Sequence, residues 1–205
     1  MGLRQGDSIH HQTATMAAWW LPIVAISIAT MLAIFGDTGR AWLSYDRPAI
    51  VAGELWRLLS GHFVHLGASH LALNAAALLL IWYLIFASFS RVQWLFVVLV
   101  VIVGIDFGLW FLEPQLLWYV GLSGVLHGLL AAGIVGGLRT GRIDLWVLGV
   151  ALLAKLGYEQ LIGPLPGSEQ STGGMVIVAA HAYGAFAGVV AGGLVTIRAR
   201  RQASI

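Results

Sequence analysis

The segment "GLSGVLHGLL", residues 121–130, sets Ser123 between Gly121 and Gly124 at the mouth of an apolar run, with His127 four residues on. A serine hydroxyl is a poor nucleophile until a base takes its proton during attack, and an imidazole has the pKa for that role. Two imidazoles compete for it: His127, on the same helical face as Ser123, and His181 in "AHAYGAFAG". Attack on an amide creates an oxyanion that needs donors already in place. The first turn of a helix opening at Ser123 leaves backbone N–H groups unpaired, and His70 and Asn74, one helical turn apart, add two side-chain donors. The chemistry within reach of this set is hydrolysis of a peptide bond through a serine nucleophile.

The elements that must position these groups are set by the solvent. Of 205 residues, 59% are hydrophobic and only 10% charged, and the mean hydropathy is +0.87. Soluble domains hold about 45–50% apolar residues, so this composition describes an integral membrane protein. Apolar runs at 17–36, 69–89, 92–112, 123–138, 143–162 and 175–197 are each long enough to cross a bilayer, which takes about 20 residues. The expected fold is an all-α, six-transmembrane helical bundle over 17–197, preceded by a polar segment, 1–16, and followed by a basic tail, 198–205. The first run is read as a retained span rather than a signal peptide, because it is too long and no small-residue cleavage pattern follows it. The long connection at 37–68 mixes Trp42, Pro48, Trp56 and Phe63 with Arg40, Arg47, Glu54 and Arg57, as a structured interfacial loop would. The chain has no cysteine, which removes disulfides and thiolate chemistry together.

Arginine placement gives an orientation. With a cytoplasmic N-terminus, the inside segments hold Arg4, Arg91, Arg139, Arg142, Arg198, Arg200 and Arg201, and the outside loops hold Arg40, Arg47 and Arg57. The pI near 9.3 therefore reports topology rather than nucleic-acid binding. Spans two, four and six then start at the outer face, which puts His70, Asn74, Ser123 and His181 at similar depth. Polar groups at that depth need partners or water, so their common height argues for one site. His181, Gly184, Gly188 and Gly192 form one face of span six, and Gly124 and Gly128 repeat that spacing in span four. Two such faces let backbones approach closely enough to bring His181 to Ser123.

The motifs "HFVHLGASHLALN" (His65, His70, Asn74), "GLSG" around Ser123, "AHAYGAFAG" around His181 and "ELWRLL" (Trp56, Arg57) resemble the rhomboid intramembrane serine proteases in order and spacing, from about residue 54 to 192. The resemblance implies a six-helix core, a Ser123–His181 dyad without an acid, and an oxyanion hole of the Ser123 N–H, His70 and Asn74. It also implies cleavage of membrane-anchored protein substrates near the outer membrane face, with no cofactor and no metal. Two positions depart from the pattern: His127 stands where a tyrosine commonly packs on the catalytic histidine, and a glutamate often found late in span two is missing from "IFASFSR". The form "GLSGVLHGLL" is similar to the rhombosortase branch, a bacterial subgroup whose substrates carry a C-terminal Gly-Gly, hydrophobic helix and basic tail.

Other readings compete with this one. A membrane metalloprotein would draw on His62, His65, His70, His127 and His181, but no HExxH motif occurs and carboxylates within the spans are sparse. A catalytically inactive rhomboid-like binding protein would be expected to have lost Ser123 or His181, and a transporter to show internal symmetry. Of the two imidazoles, His181 is favoured as base because it heads the glycine face and because the rhomboid pattern assigns the base there. His127 is expected to pack beneath the dyad, with Asp106 either its hydrogen-bond partner or a polar contact between helices with no catalytic part. Lys155 and Glu159 are expected to form a structural i, i+4 pair, and His10, His11 and His62 to have no special role.

Overall fold

The computed structural model describes residues 19–203, so the segment 1–16 with Arg4, His10 and His11 lies outside the described residues. The elements run α1 (Trp20–Ile34), α2 (Gly36–Leu43), β1 (Tyr45–Asp46), α3 (Arg47–Val51), α4 (Arg57–Ser60), α5 (Ala68–Ile85), α6 (Arg91–Phe111), β2 (Trp118–Tyr119), α7 (Ser123–Gly137), α8 (Ile143–Leu161), α9 (Ser168–Thr172) and α10 (Val178–Ala203). This is an all-α membrane bundle. Helices α5, α6 and α10 are long and apolar enough to cross a bilayer, and α1 with α2 forms a pair bent by 115°. The bend falls at Gly36, whose φ of +55° an L side chain rarely adopts. Each expected apolar run overlaps a helix. Among the described residues, however, only these three helices, or four spans with the bent pair taken as one, are long and apolar enough to cross by themselves, rather than six. The reason is that α7 has 15 residues and α8 carries Asp144, Lys155 and Glu159. The last run begins its helix at Val178 rather than 175.

Helix α7 is the centre of the bundle and is buried along most of its length. Its 15 residues make a rod of about 22 Å at 1.5 Å per residue, against about 30 Å of hydrocarbon. It cannot reach both faces, so one end stops inside the protein. The most extensive packing in the molecule joins α7 to α10, and it is backbone on backbone. A Cβ built on Gly184 would collide with the carbonyl oxygen of Gly124, and one on Gly188 with that of Gly128. On Gly192 it would lie 2.9 Å from the Ala132 carbonyl oxygen. Helices surrounded by lipid gain little from hiding apolar side chains, so close van der Waals contact through small residues holds them together. The outward faces carry Leu80, Leu99, Val150 and Phe186, all exposed, as lipid contact requires.

The connection between α2 and α5 is pinned to the same core. The Arg47 guanidinium donates to the carbonyls of Leu109 (2.6 Å), Trp110 (3.1 Å), Glu113 (2.9 Å) and Leu116 (2.9 Å). It thereby places a cation on the C-terminal carbonyls of α6, where the helix dipole is negative and the last turn lacks intrahelical donors. Its face lies 4.6 Å from the Trp110 ring. Strands β1 and β2 pair antiparallel, Tyr45 with Tyr119 and Asp46 with Trp118, which ties the connection to the segment entering α7. Arg57, buried, bridges Glu54 (2.7 Å) and the carbonyls of Ala41 (2.9 Å) and Ser44 (3.0 Å), while Trp56 donates to the Trp42 carbonyl (3.2 Å). His62, expected to lie idle, is instead buried against α6 with Nε2 3.2 Å from Asp106 Oδ1.

If the contact between α7 and α10 carries the fold, Gly188→Ala destabilises the protein by about 1–3 kcal/mol through overpacking. Gly193→Ala, whose new Cβ meets nothing within 4 Å, should be neutral or gain up to about 1 kcal/mol of helix propensity. Thermal unfolding of both variants in detergent, followed by tryptophan fluorescence, checks the contrast; equal midpoints would remove the argument.

Candidate active site

Ser123 is the first residue of α7 and follows a buried segment, residues 119–122. The turn before it is locked from three sides. Tyr119 Oη donates to the Gly121 carbonyl at 2.7 Å, the Gly121 N–H donates to the Gly61 carbonyl at 3.0 Å, and Gly121 adopts φ +119°. A Cβ on Gly121 would stand 2.8 Å from His70 Cε1. The residue must therefore be glycine for two reasons, its backbone conformation and the imidazole lying against it.

Four side chains meet Ser123 or its neighbours. His181, one turn into α10, has Nε2 2.9 Å from Ser123 Oγ and Nδ1 2.9 Å from Glu159 Oε2 on α8. The other oxygen of Glu159 is 2.7 Å from Lys155 Nζ. His181 and Glu159 are 4% and 3% exposed, so this carboxylate meets its two cationic or polar partners away from water. An ionised carboxylate only accepts, which assigns the proton to His181 Nδ1 and leaves the Nε2 lone pair facing the serine hydroxyl. His127 stacks on His181 with ring centres 4.2 Å apart and planes 16° from parallel. Its Nδ1–H donates to the Ser123 carbonyl at 2.7 Å. Of the two imidazoles, His181 is the one in contact with the hydroxyl.

The donor side is built on α5. The Leu66 N–H donates to His70 Nδ1 at 3.3 Å, which obliges a neutral His70 to carry its proton on Nε2. Asn74 Nδ2 donates one proton to the His70 carbonyl at 3.0 Å and keeps a second. His65 supports this corner from below: its ring stands edge-on to His70 at 4.9 Å and its Nδ1–H donates to the Phe63 carbonyl at 3.0 Å. Burial and the neighbouring His70 push the His65 pKa down to about 4, so it remains a neutral spacer. His70, Asn74, Ser123 and His181 all border one cavity of about 450 Å³. It lies between α5 and α8, with Leu73, Leu148 and Leu152 among its apolar walls and residues 165–177 across its mouth.

The metal-site alternative can be tested on the same geometry. Among the described residues His127, Glu159 and His181 form a group whose potential ligand atoms lie within 4.8 Å of one another. An imidazole binds an ion in its ring plane, and two near-parallel rings 4.2 Å apart share no such position. Glu159 is also already held at both oxygens. This arrangement orients a histidine rather than chelating a cation.

The Rhomboid domain matches residues 52–198. The chain belongs to the rhomboid family. Rhomboids are as a family intramembrane serine proteases, and the match covers every residue of the site just described, from Arg57 to His181. No curated protein matches the chain. Two expectations are revised within this rhomboid. Asp106 pairs with His62 rather than with His127, because it faces the connection at 37–68 while His127 faces α8 and α10. Lys155 and Glu159 do form an i, i+4 pair, but Glu159 turns inward onto His181, where no acid was expected. The only sign of Glu159 in the sequence was a carboxylate in an otherwise apolar span, which must have a partner.

If His70 is an oxyanion donor in a working protease, Gly121→Ala, by displacing its ring, should lower turnover by about 100-fold, on the scale of losing one such donor. Cleavage assays at matched membrane levels check this, and unchanged turnover would show that the turn does not set the donor position.

Proposed function

We propose that this rhomboid is an active intramembrane endopeptidase in which Ser123 is the nucleophile and His181 the general base. The reading is carried by one observation, the 2.9 Å contact of His181 Nε2 with Ser123 Oγ beside a half-open, largely apolar cavity. Ser123 Oγ attacks the scissile carbonyl as its proton passes to His181 Nε2. The Ser123 backbone N–H, His70 Nε2–H and Asn74 Nδ2–H receive the oxyanion. The imidazolium then gives the proton to the leaving nitrogen, the C–N bond breaks, and water hydrolyses the acyl-enzyme by the reverse relay.

The substrates are membrane-anchored proteins with a single or C-terminal transmembrane helix, cut near the outer membrane face. We assign the chain to the rhombosortase branch of a bacterial inner membrane, with both termini cytoplasmic. The support is "GLSGVLHGLL", with His127 taking the place of the usual tyrosine against the base. A helical segment hides its carbonyls in its own hydrogen bonds, so a cleavable one must unwind. Two glycines at its end lower helix stability by about 1 kcal/mol each, which suits a Gly-Gly tail to such a cavity.

Ser123→Ala and His181→Ala should each abolish cleavage of a co-expressed substrate bearing a Gly-Gly, apolar helix and basic tail, and the double variant should be no worse than either, since the residues act as one unit. Mass spectrometry of the released product reads the cut. Turnover surviving in Ser123→Ala would sink the protease reading; cleavage of other membrane helices but not of this tail would sink the branch assignment alone.

A further inference from the structure

We infer that Glu159, clamped by Lys155, is the positioning acid of a Ser123–His181–Glu159 relay, so that this rhomboid works with three residues rather than an acid-free pair. The inference rests on the protease reading above and adds to it a residue that the resemblance does not supply.

Burial makes the first argument. Glu159 is 3% exposed, in a helix whose other face meets lipid. A carboxylate in such a place is strongly unfavourable unless both oxygens are paired. An i, i+4 ion pair serving only α8 would leave the carboxylate at the interface beside its lysine. Here the lysine keeps 30% of its side-chain exposure, whereas the carboxylate points across to another helix and takes His181 Nδ1 at 2.9 Å.

The second argument is geometric. Stacking of His127 on one face of His181 accepts equally either of the two ring states related by a half-turn about Cβ–Cγ, which exchange nitrogen and carbon edges. Only a fixed acceptor at Nδ1 selects the orientation and tautomer that put the Nε2 lone pair on Ser123 Oγ. Lys155 holds the other Glu159 oxygen at 2.7 Å and keeps the carboxylate from rotating away.

Charge supplies the third. Before attack the charges of Lys155 and Glu159 cancel. During acylation the serine proton moves to His181 Nε2, and the new imidazolium and the oxyanion again cancel. Glu159 stays ionised throughout, and no proton leaves the site. In a low-dielectric cavity a fixed negative group beside the developing imidazolium lowers the barrier more than it would in water.

The test uses purified full-length protein in proteoliposomes with the membrane-anchored substrate, alongside Ser123→Ala. Glu159→Gln keeps size and one acceptor but loses the charge. It should lower kcat by about 10²- to 10⁴-fold, as when the acid of a triad becomes its amide, with KM changed less than about threefold. Glu159→Asp should recover part of the loss, which a merely packed side chain one methylene shorter would not. If Ser123→Ala is inactive and Glu159→Gln keeps kcat within about threefold of the parent, the relay is wrong and the dyad stands. If Ser123→Ala is active, the protease reading itself fails and takes the relay with it. Should Glu159→Gln not fold, ¹⁵N-histidine NMR of the parent protein decides, with His181 assigned from the spectrum of His181→Asn. A proton on Nδ1 in a low-field hydrogen bond supports the relay, and a proton on Nε2 overturns it.

Discussion

Two helix backbones meet in this protein with almost no side chain between them, and the rest of the site depends on that contact. Gly184 and Gly188 of α10 lie against the carbonyls of Gly124 and Gly128 of α7, close enough that a methyl group has no room. The contact begins at the residue after Ser123 on α7 and one turn from His181 on α10, so the distance between hydroxyl and imidazole is inherited from it. A hydrogen bond between groups on separate helices tolerates only tenths of an ångström. Packing through backbone gives that tolerance, because glycine has no rotamers to relax through.

The hydrocarbon solvent accounts for much of what surrounds the contact. Irregular backbone is allowed at membrane depth only where protein satisfies it. That is the work of Arg47, which collects four carbonyls near the end of α6, and of Arg57, which bridges two more beside Glu54. The short ribbon of Tyr45 and Asp46 with Tyr119 and Trp118 then delivers the chain to Gly121 at a defined height. A connection with no chemistry of its own thereby holds the turn that presents Ser123.

Among the described residues the acidic groups in the bundle interior are paired. Asp106 meets His62, Glu159 is shared by Lys155 and His181, and His70 and Asn74 satisfy one another while keeping a proton each for the cavity. His127 completes the set by stacking on His181 and anchoring to the Ser123 carbonyl, which lets one imidazole support the other without competing for the hydroxyl.

Much of the fold was legible without coordinates. Long apolar runs locate membrane helices because the bilayer demands their length, and the spacing of Gly184, Gly188 and Gly192 marks the inward face because only small residues let helices touch. That His70, Asn74, Ser123 and His181 border one cavity was legible from their positions along alternating apolar runs. The partners of the remaining polar residues were not legible. Helices bathed in lipid are apolar on every side, so periodicity does not tell which face a residue such as Glu159 or Asp106 presents inward. Local spacing paired Glu159 with Lys155 and stopped there, and His62 carried no signal at all. Those choices belong to the tertiary structure, since a buried polar group takes the partner that packing brings to it, and packing between helices distant in the chain is set by their mutual rotation, which no single segment encodes.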